Sequence, residues 1–371
     1  MAALWAVNAT ACVPSAKLGP ARQERSWTAY LGSPRHDVSA GETLNPDPRP
    51  LWRAAVGRAV RGSPALGEGV LAAGTADRTV VLVDRANGDV LWRQRVDGTI
   101  HGGPLLDDDR LYVATEAQPR GRVYALRLRD GKPIWRRAVG GSVVAPLALD
   151  GDALYAGTED GTVLRLDAER GSITWRRRLP GAVRVAPVPT PLGLVVATTA
   201  DTLYFLDLRT GSAAARLATP GTVLATPAFE SGPGGDRVYL GTTAGRILAV
   251  SVPTLTPFWD VAAGDAVYGA PAVARDTVYV LARNGALWTI PVHDPGGAAR
   301  RTLDIVATAG PTPLAGGEVL VGSVSGEVLL VDRVGTILWR AQVAGPIEEP
   351  PLVQGRQLVV VAGRGDIHAY R

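Results

Sequence analysis

Eight prolines recur along this chain at nearly equal intervals, and they restrict the possible folds more than any other feature of the sequence. The intervals are 40, 42, 41, 40, 44, 42 and 38 residues. These marker prolines are Pro64, Pro104, Pro146, Pro187, Pro227, Pro271, Pro313 and Pro351. A repeat of this length with strand-like content predicts a solenoid or a propeller, in which each unit packs against the next.

One repeat, at residues 144–179, shows the content of the unit most clearly. Its short apolar runs are separated by Asp-Gly pairs at 150–151 and 160–161. Asp-Gly tolerates the positive backbone angles that two-residue hairpin turns require. Residues 162–167 then alternate apolar and polar side chains, which is the period of a half-buried strand. The repeat therefore predicts four short antiparallel strands, the unit of a β-propeller blade.

A tryptophan stands in the fourth strand of most repeats. Six of the nine tryptophans of the chain hold this position: Trp52, Trp92, Trp135, Trp175, Trp259 and Trp339. The spacing places the two missing members near Ala215 and Arg301. An isolated blade cannot bury an indole ring, but its neighbour can cover it. We therefore expect these residues to pack between blades rather than to contact a ligand.

The two ends of the chain supply complementary parts of one blade. The last repeat stops at Arg371 after three strands, whereas the strand around Trp52 has no blade of its own. If that strand completes the eighth blade, the ring closes and no strand edge is left exposed. The sequence therefore predicts an all-β fold, an eight-bladed β-propeller of four-stranded antiparallel blades, forming a single domain over residues 27–371.

Composition and charge agree with a large monomeric propeller and argue against nucleic acid as a partner. Hydrophobic residues make up 46% of the chain, with 44 glycines and 28 prolines, which suits a turn-rich protein with a large core. The net charge is only +4, and the arginines are scattered. Their densest cluster, residues 176–178, follows a tryptophan and is interpreted as a solvated blade edge.

The first 26 residues have the features of an export signal followed by a flexible tether. Ala9-Thr10-Ala11 has the small-x-small form of a secretory cleavage site, and Cys12, the only cysteine, follows directly. This arrangement resembles a bacterial lipobox, although the preceding apolar stretch is short and carries no basic residue. We interpret Cys12 as a candidate lipidation site in a truncated lipoprotein signal. Another exported form and a cytoplasmic protein remain as alternatives.

The repeat resembles that of the pyrroloquinoline-quinone-like (PQQ-like) β-propeller superfamily. The shared pattern is Gly-Thr-x-Asp-Gly-x-Val-x-x-Leu-Asp-x-x-x-Gly-x-x-x-Trp, which occupies residues 157–175 here. Residues 27–36 are similar to the leader segment that often precedes these propellers. The resemblance implies the fold, but this fold carries several activities. WD-repeat propellers match less well, because Trp259-Asp260 occurs only once.

Two branches of this superfamily compete as functional interpretations. The quinoprotein dehydrogenases oxidise alcohols or sugars with the quinone and a calcium ion. The non-enzymatic branch contains the BamB family of outer-membrane assembly lipoproteins, which is nearest in length and blade count. The chain lacks the long insertions and the vicinal cysteine pair of many dehydrogenases, and Glu348-Glu349 are the chief acids near the inner strands. The sequence therefore argues against PQQ, calcium and catalysis.

No other catalytic or metal-binding motif appears. The four histidines, His36, His101, His293 and His368, are too widely spaced to suggest a metal site. Asp107-Asp108-Asp109 occupies a turn position that other repeats fill with Asp-Gly or Gly-Glu-Gly, so we interpret it as a solvated turn.

The residues three positions before each marker proline are predicted to surround the mouth of the central channel. These residues are Arg61, His101, Val143, Arg184, Leu224, Tyr268, Gly310 and Glu348. Five of them, Arg61, His101, Arg184, Tyr268 and Glu348, would form a mildly basic, amphipathic surface suited to an acidic peptide or an exposed strand of a partner. The alternative is that these side chains only fill the funnel.

The leading functional hypothesis is a non-enzymatic, protein-binding scaffold of the cell envelope. By its resemblance to the BamB family, the protein would be periplasmic, lipid-anchored to the outer membrane if Cys12 is modified, and associated with envelope proteins such as an outer-membrane assembly complex. A propeller interaction module with an unknown partner and a PQQ-dependent dehydrogenase are the alternatives.

Overall fold

The computed structural model describes most of the chain. The described ranges are residues 30–33, 36, 39–117, 120–232, 234–363 and 365–371. Within them the strands form eight separate four-stranded antiparallel sheets. This arrangement confirms the predicted all-β, eight-bladed propeller. The predicted lipoprotein signal and tether, with Cys12, lie outside the described residues.

In blades 1–4 the strands follow one another in chain order from the inner strand to the outer strand. Their bounds are β2 (Ala65–Leu66), β3 (Val70–Gly74), β4 (Thr79–Asp84) and β5 (Val90–Arg95); β6 (Leu105–Asp107), β7 (Arg110–Ala114), β8 (Arg122–Arg127) and β9 (Pro133–Ala138); β10 (Ala148–Asp150), β11 (Ala153–Gly157), β12 (Thr162–Asp167) and β13 (Ile173–Arg178); and β14 (Val188–Thr190), β15 (Gly193–Thr198), β16 (Thr202–Leu206) and β17 (Ala213–Ala218).

Blades 5–7 repeat this order, and blade 8 takes its outer strand from the start of the chain. Their bounds are β18 (Ala228–Glu230), β19 (Arg237–Gly241), β20 (Arg246–Ser251) and β21 (Thr256–Ala262); β22 (Ala272–Ala274), β23 (Thr277–Leu281), β24 (Ala286–Pro291) and β25 (Ala299–Thr302); β26 (Thr312–Pro313), β27 (Val319–Gly322), β28 (Glu327–Val331) and β29 (Ile337–Gln342); and β30 (Leu352–Gln354), β31 (Gln357–Ala362), β32 (Asp366–Tyr370) and β1 (Pro50–Ala55). Short 3₁₀ helices lie at Tyr30–Gly32 and Pro295–Gly297.

The ring closes as the sequence predicts, because β1 pairs with β32. Trp52 lies opposite Ala369 in this antiparallel ladder. Just before β1, the amide of Arg49 donates to the carbonyl of Arg371 at 2.8 Å, and the amide of Arg371 donates back at 2.9 Å. These bonds extend the β1–β32 ladder, which pairs the edge of β32 that would otherwise be free.

The outer-strand tryptophans lie against the following blade. The indole nitrogen of Trp52 donates to the carbonyl of Arg85 in blade 1 at 2.9 Å. Trp135 and Trp175 make the equivalent bonds to Ala168 and Leu208 at 3.0 and 2.9 Å. Each blade thus satisfies the one polar group of its neighbour's largest side chain while covering its ring.

The two repeats that lack tryptophan solve the same packing problem differently. Arg301 donates from Nε to the carbonyl of Val334 at 3.1 Å, and its aliphatic stem lies beside Gly335. In the other repeat Ala215 stands where the ring is missing, and Leu255 takes the place of the turn glycine in the next blade. Leu255 is buried in the same cluster as Ala215, so it fills the space that an indole takes elsewhere.

The strand positions correct the alignment of two repeats. In six blades the inner strand begins directly after the marker proline, but β10 begins two residues after Pro146 and β26 begins before Pro313. The residue that precedes β26 is Pro311, which is therefore the true equivalent. The sequence alone misled here because several prolines cluster at this turn and any of them preserves a period of about 40 residues.

We predict that Gly88→Ala destabilises the propeller more than Gly69→Ala. Both glycines have positive φ, +81° and +72°. A Cβ at Gly88 would lie 2.8 Å from the Trp52 ring, whereas nothing lies within 4 Å of one at Gly69. The shared backbone penalty therefore cancels, and the steric clash with the closing strand adds about 1–3 kcal/mol.

Urea unfolding of the two variants, alone and combined with Trp52→Ala, measures this difference. The excess cost of Gly88→Ala should disappear once the ring is removed, because the two residues share one contact. An excess that persists without Trp52 would show that the clash is elsewhere.

Candidate functional site

The candidate site is a cavity of about 350 Å³ at the end of the channel where the inner strands begin. Every blade contributes to its lining, and we call the eight lining residues at equivalent positions, one from each blade, the rim. The rim consists of Arg61, His101, Val144, Arg184, Leu224, Tyr268, Thr308 and Glu348. All five predicted site residues are therefore brought together around one cavity.

Two of the eight positions predicted from the sequence differ in the structure. Val143 is fully buried in a core cluster, and its neighbour Val144 lines the cavity instead. Thr308 rather than Gly310 is the equivalent rim residue of blade 7, although Gly310 also lines the cavity. Both differences follow from the corrected repeat alignment. Counting back from Pro311 would have found Thr308.

Small residues beside the rim allow neighbouring blades to approach closely. A Cβ at Gly62 would lie 2.3 Å from the amide nitrogen of Gly103, and one at Gly103 would lie 2.1 Å from the carbonyl oxygen of Ser63. These distances leave no room for a side chain. The inner strands can therefore converge while the longer rim side chains project over the channel mouth.

The charges of the rim are largely compensated, which corrects the expectation of a basic surface. Arg184 binds both carboxylate oxygens of Glu159, at 3.0 and 2.9 Å, and this pairing raises the pKa of Arg184. His101 Nε2 lies 2.6 Å from Glu116 Oε2. Arg61 makes no hydrogen bond or ion pair with the residues that the structure describes. The rim is thus polar and mixed in charge, with Arg61 as its uncompensated cation.

A segment before the first blade forms the floor of the cavity. The hydroxyl of Tyr30 donates to Glu349 Oε2 at 2.7 Å, and both residues line the cavity. The adjacent Leu31 is only 3% exposed and packs in a cluster with Ala65 and Ala270 from the inner parts of blades 1 and 6. Tyr30 lies outside the repeats, so no periodic signal pointed to it.

Three further described residues before β1 contact inner strands or the turns at their ends. His36 Nδ1 lies 2.7 Å from the carbonyl oxygen of Pro271, at the start of an inner strand. Ser39 exchanges hydrogen bonds of 2.8 and 2.9 Å with the backbone of Val353, in the middle of β30. The carbonyl of Glu42 accepts from the amide of Ala315, beyond the end of β26. These contacts place His36, Ser39 and Glu42 against inner strands progressively further from the rim.

Burial changes the protonation of two groups in this channel. Removal from water raises the pKa of Glu349 to about 8, with a further rise from Glu348 and an opposing effect of the Tyr30 hydrogen bond. At neutral pH the Glu349 carboxyl therefore holds a proton and can donate it. Burial lowers the pKa of His36 to about 4, against the effect of its bond to Pro271. The ring of His36 is thus neutral at pH 7.

One polar atom of the cavity wall lacks a partner. Thr308 Oγ1 is buried and forms no hydrogen bond within the described residues. A buried hydroxyl without a partner costs about 1–3 kcal/mol. Together with Glu349 and the exposed Glu348, Thr308 offers hydrogen bonds to a polar group that enters from the rim.

The cavity residues do not fit a quinone held by calcium. Calcium requires several converging oxygen ligands, mostly carboxylates. Among the described residues only two carboxyl groups line this cavity; Glu349 is protonated and bonded to Tyr30, which leaves Glu348. Elsewhere in the described part of the chain, no group of three or more His, Cys, Asp or Glu side chains is placed to hold a metal ion.

Comparison with known proteins relates the chain to one family. A family model described as outer membrane protein assembly factor BamB matches residues 34–120, 119–254, 219–296 and 292–371. No protein of curated function matches the sequence significantly.

In the described part of the chain, no helix has the length and apolar character needed to cross a bilayer.

Solved structures share the fold at low sequence identity. The designed protein Ika8 is 16% identical, with a TM-score of 0.73 over 87% of this chain and 99% of its own. BamB from Moraxella catarrhalis is 18% identical, with a TM-score of 0.51 over 71% and 94%. The quinohemoprotein alcohol dehydrogenase from Comamonas testosteroni is 12% identical, with a TM-score of 0.72 over 94% and 81%.

We predict that Glu349 makes the protein less stable as the pH rises from 6.5 to 8. Over this range the folded state keeps a proton on Glu349, with its pKa of about 8, whereas the unfolded state has released it. The unfolding free energy therefore falls with pH, by at most about 1.4 kcal/mol per unit from this group. His36, whose folded pKa is about 4, acts in the opposite direction near pH 6.5, where the unfolded state still binds part of a proton. It does so equally in the wild type and in a Glu349 variant, so the difference between the two curves reports Glu349.

Urea unfolding at pH 6.5, 7.0, 7.5 and 8.0 should show this slope in the wild type and a flatter curve in Glu349→Gln. Glu348→Gln is the matched control, because its exposed side chain should leave the slope in place. Parallel curves for the wild type and Glu349→Gln would disprove the assignment.

Proposed function

The chain belongs to the family of outer membrane protein assembly factor BamB, and we propose that it is a non-enzymatic, protein-binding scaffold of the cell envelope that assists outer-membrane protein assembly. The family match supports the general role. The observation that carries the proposed site is the rim, where one residue from every blade surrounds a cavity that Tyr30 also lines.

The rim has the composition of a protein-binding surface rather than of a catalytic centre. Tyr268 and Arg61 are the residue types that most often dominate binding energy at interfaces. Leu224 is 39% exposed and adds apolar area at the same mouth. Arg61 and Glu348 carry opposite charges, so a partner with mixed polarity is favoured over a purely acidic peptide. We propose that a loop or strand end of an envelope protein docks here.

The proposed location follows from the same family relation. We propose that Cys12 carries a lipid that anchors the propeller to the outer membrane, with the rim facing the periplasm. The family match supports a periplasmic position near the outer membrane, in reach of an assembly complex.

A quinoprotein dehydrogenase is the second candidate, favoured only by the shared fold of the alcohol dehydrogenase structures. The mismatch between the cavity residues and calcium argues against it. Reconstitution with quinone and calcium, followed by dye-linked alcohol oxidation, tests this alternative, and turnover above the unreconstituted protein would replace the scaffold proposal.

We predict that Arg61→Glu weakens the association of the full-length protein with its envelope partner by about tenfold, because it reverses the uncompensated cation of the rim. Arg61 is exposed, so the melting temperature should not change. A photo-crosslinking residue at Tyr268 captures the partner in envelopes, and the yield across a concentration series measures the affinity.

Arg216→Glu, on the exposed face of β17, is the matched control, since it makes the same charge change away from the rim. Equal loss in both variants would indicate a general electrostatic effect. Unchanged capture in Arg61→Glu, or crosslinks that are absent at Tyr268, would contradict the rim as the docking site.

A further inference from the structure

A second cavity lies between blades 6 and 7, on the face opposite the rim. Its volume is about 310 Å³. Three arginines from different elements line it: Arg275 in the turn after β22, Arg301 in β25, and Arg333 in the turn after β28. Tyr279 and Thr289 also line it. We call the cavity that these five residues line the anion cavity.

At the junction of blades 8 and 1, protein side chains surround the arginine that is equivalent to Arg333. There Trp52 covers the turn of the next blade, and Arg85 in that turn donates from Nη1 to the carbonyl of Gly67 at 3.0 Å. The same guanidinium also reaches back to the preceding blade, where it binds Gln354 Oε1 at 2.6 Å and Gln357 Oε1 at 3.2 Å. The arginine at that junction is thus surrounded by acceptors.

The junction of blades 6 and 7 keeps the arginine and loses its acceptors. Arg333 donates to the carbonyl of Gly316 at 2.9 Å, as Arg85 does to Gly67. The positions of the two glutamines in blade 6 are held by Ala274 and Thr277, by the strand alignment of β22 with β30. No side chain of blade 6 accepts a hydrogen bond from Arg333 within the described residues.

Substitution at the tryptophan position adds a further positive charge. Arg301 stands where other repeats carry the indole, and its Nε and Nη1 bind the carbonyls of Val334 and Arg300 at 3.1 and 3.0 Å. These bonds leave Nη2 of Arg301 available. The guanidinium of Arg275 makes no hydrogen bond or ion pair with the described residues. Three arginine side chains therefore line one cavity. Solvent screens part of their mutual repulsion, because Arg275 and Arg333 are exposed, and a bound anion would relieve the rest.

The nearby acid offsets only one of these three charges. Asp332 also lines the cavity, but its Oδ1 accepts from the amides of Val334 and Thr336 at 2.9 and 2.8 Å. The bonds from its own turn lower the pKa of Asp332, the amide of Thr336 most strongly. The carboxylate thus stabilises the turn.

A neutral donor completes the wall. Burial raises the pKa of Tyr279, although the nearby Arg275 and Arg333 oppose this rise. The phenol therefore keeps its proton at neutral pH and can donate it to a bound anion. Leu287, Pro291 and Val319 add apolar lining, which strengthens charge-assisted hydrogen bonds inside the cavity.

We infer that the anion cavity binds a phosphate group, with Arg275, Arg301 and Arg333 supplying guanidinium donors and Tyr279 a hydroxyl donor. Phosphate is favoured over a carboxylate because it offers more acceptor oxygens and about two negative charges to three convergent arginines. This site is independent of the proposed function of the rim, since it lies at the opposite ends of the inner strands.

The test is a titration of the full-length protein with inorganic phosphate at fixed ionic strength, followed by thermal unfolding and calorimetry. We expect saturable binding in the wild type. Arg333→Gln and Arg275→Gln should each weaken it by at least about tenfold, because each removes a charge-assisted donor. Arg301→Trp restores the residue of the other repeats and should abolish binding while preserving the fold.

Arg216→Gln is the matched control and should bind phosphate as the wild type does.

Lipid vesicles distinguish the two possible sources of the phosphate group, a lipid headgroup and a soluble compound. Binding to phosphatidic acid vesicles, which present a phosphomonoester, but not to phosphatidylcholine vesicles, competed by phosphate and lost in Arg333→Gln, would assign a lipid headgroup. Phosphate binding without vesicle binding would assign a soluble phosphate compound.

Two outcomes would overturn the inference. One is a phosphate effect that chloride reproduces at equal ionic strength. The other is binding that survives in Arg275→Gln, Arg301→Trp and Arg333→Gln alike.

Discussion

The pairing of β1 with β32 is the interaction on which the rest of this structure depends. It supplies the missing outer strand of blade 8 and brings Trp52 against the turn that contains Gly88. Without it the eighth blade would expose a strand edge and the first would lose the ring that covers its turn. The rim needs all eight blades, because each contributes one residue to it. Closure by the chain's first strand is therefore also what creates the candidate site.

Residues that do not belong to the repeats contribute to the interior of this ring. Tyr30 and His36 lie among inner strands from several blades, and the contacts of Ser39 and Glu42 continue the same path. These contacts place residues from outside the repeats among the inner strands. One of them, Tyr30, bonds the protonated Glu349 carboxyl in the cavity lining.

Departures from the repeat have marked local consequences. Where Ala215 replaces tryptophan, Leu255 replaces glycine and the core remains filled. Where Arg301 replaces it, the aliphatic stem packs beside Gly335 in place of the ring, and the guanidinium lines a cavity between blades 6 and 7. The residue at the outer-strand tryptophan position can therefore fill the core at one junction and line a ligand-accessible cavity at another. The neighbouring blade decides which, since its side chains either cover the position or leave it open.

The sequence by itself determined the blade count, the closing strand and six of the eight rim residues, because these depend on a period that each repeat expresses locally. It could not determine the alignment around Pro313, where neighbouring prolines preserve the period equally well. Only the tertiary structure decided that Glu159 compensates Arg184 and that Tyr30 meets Glu349. The first contact crosses 25 residues and the second crosses 319, and neither separation leaves any trace in a 40-residue period. Charge compensation and burial are properties of the closed ring, so they appear only when the blades are assembled.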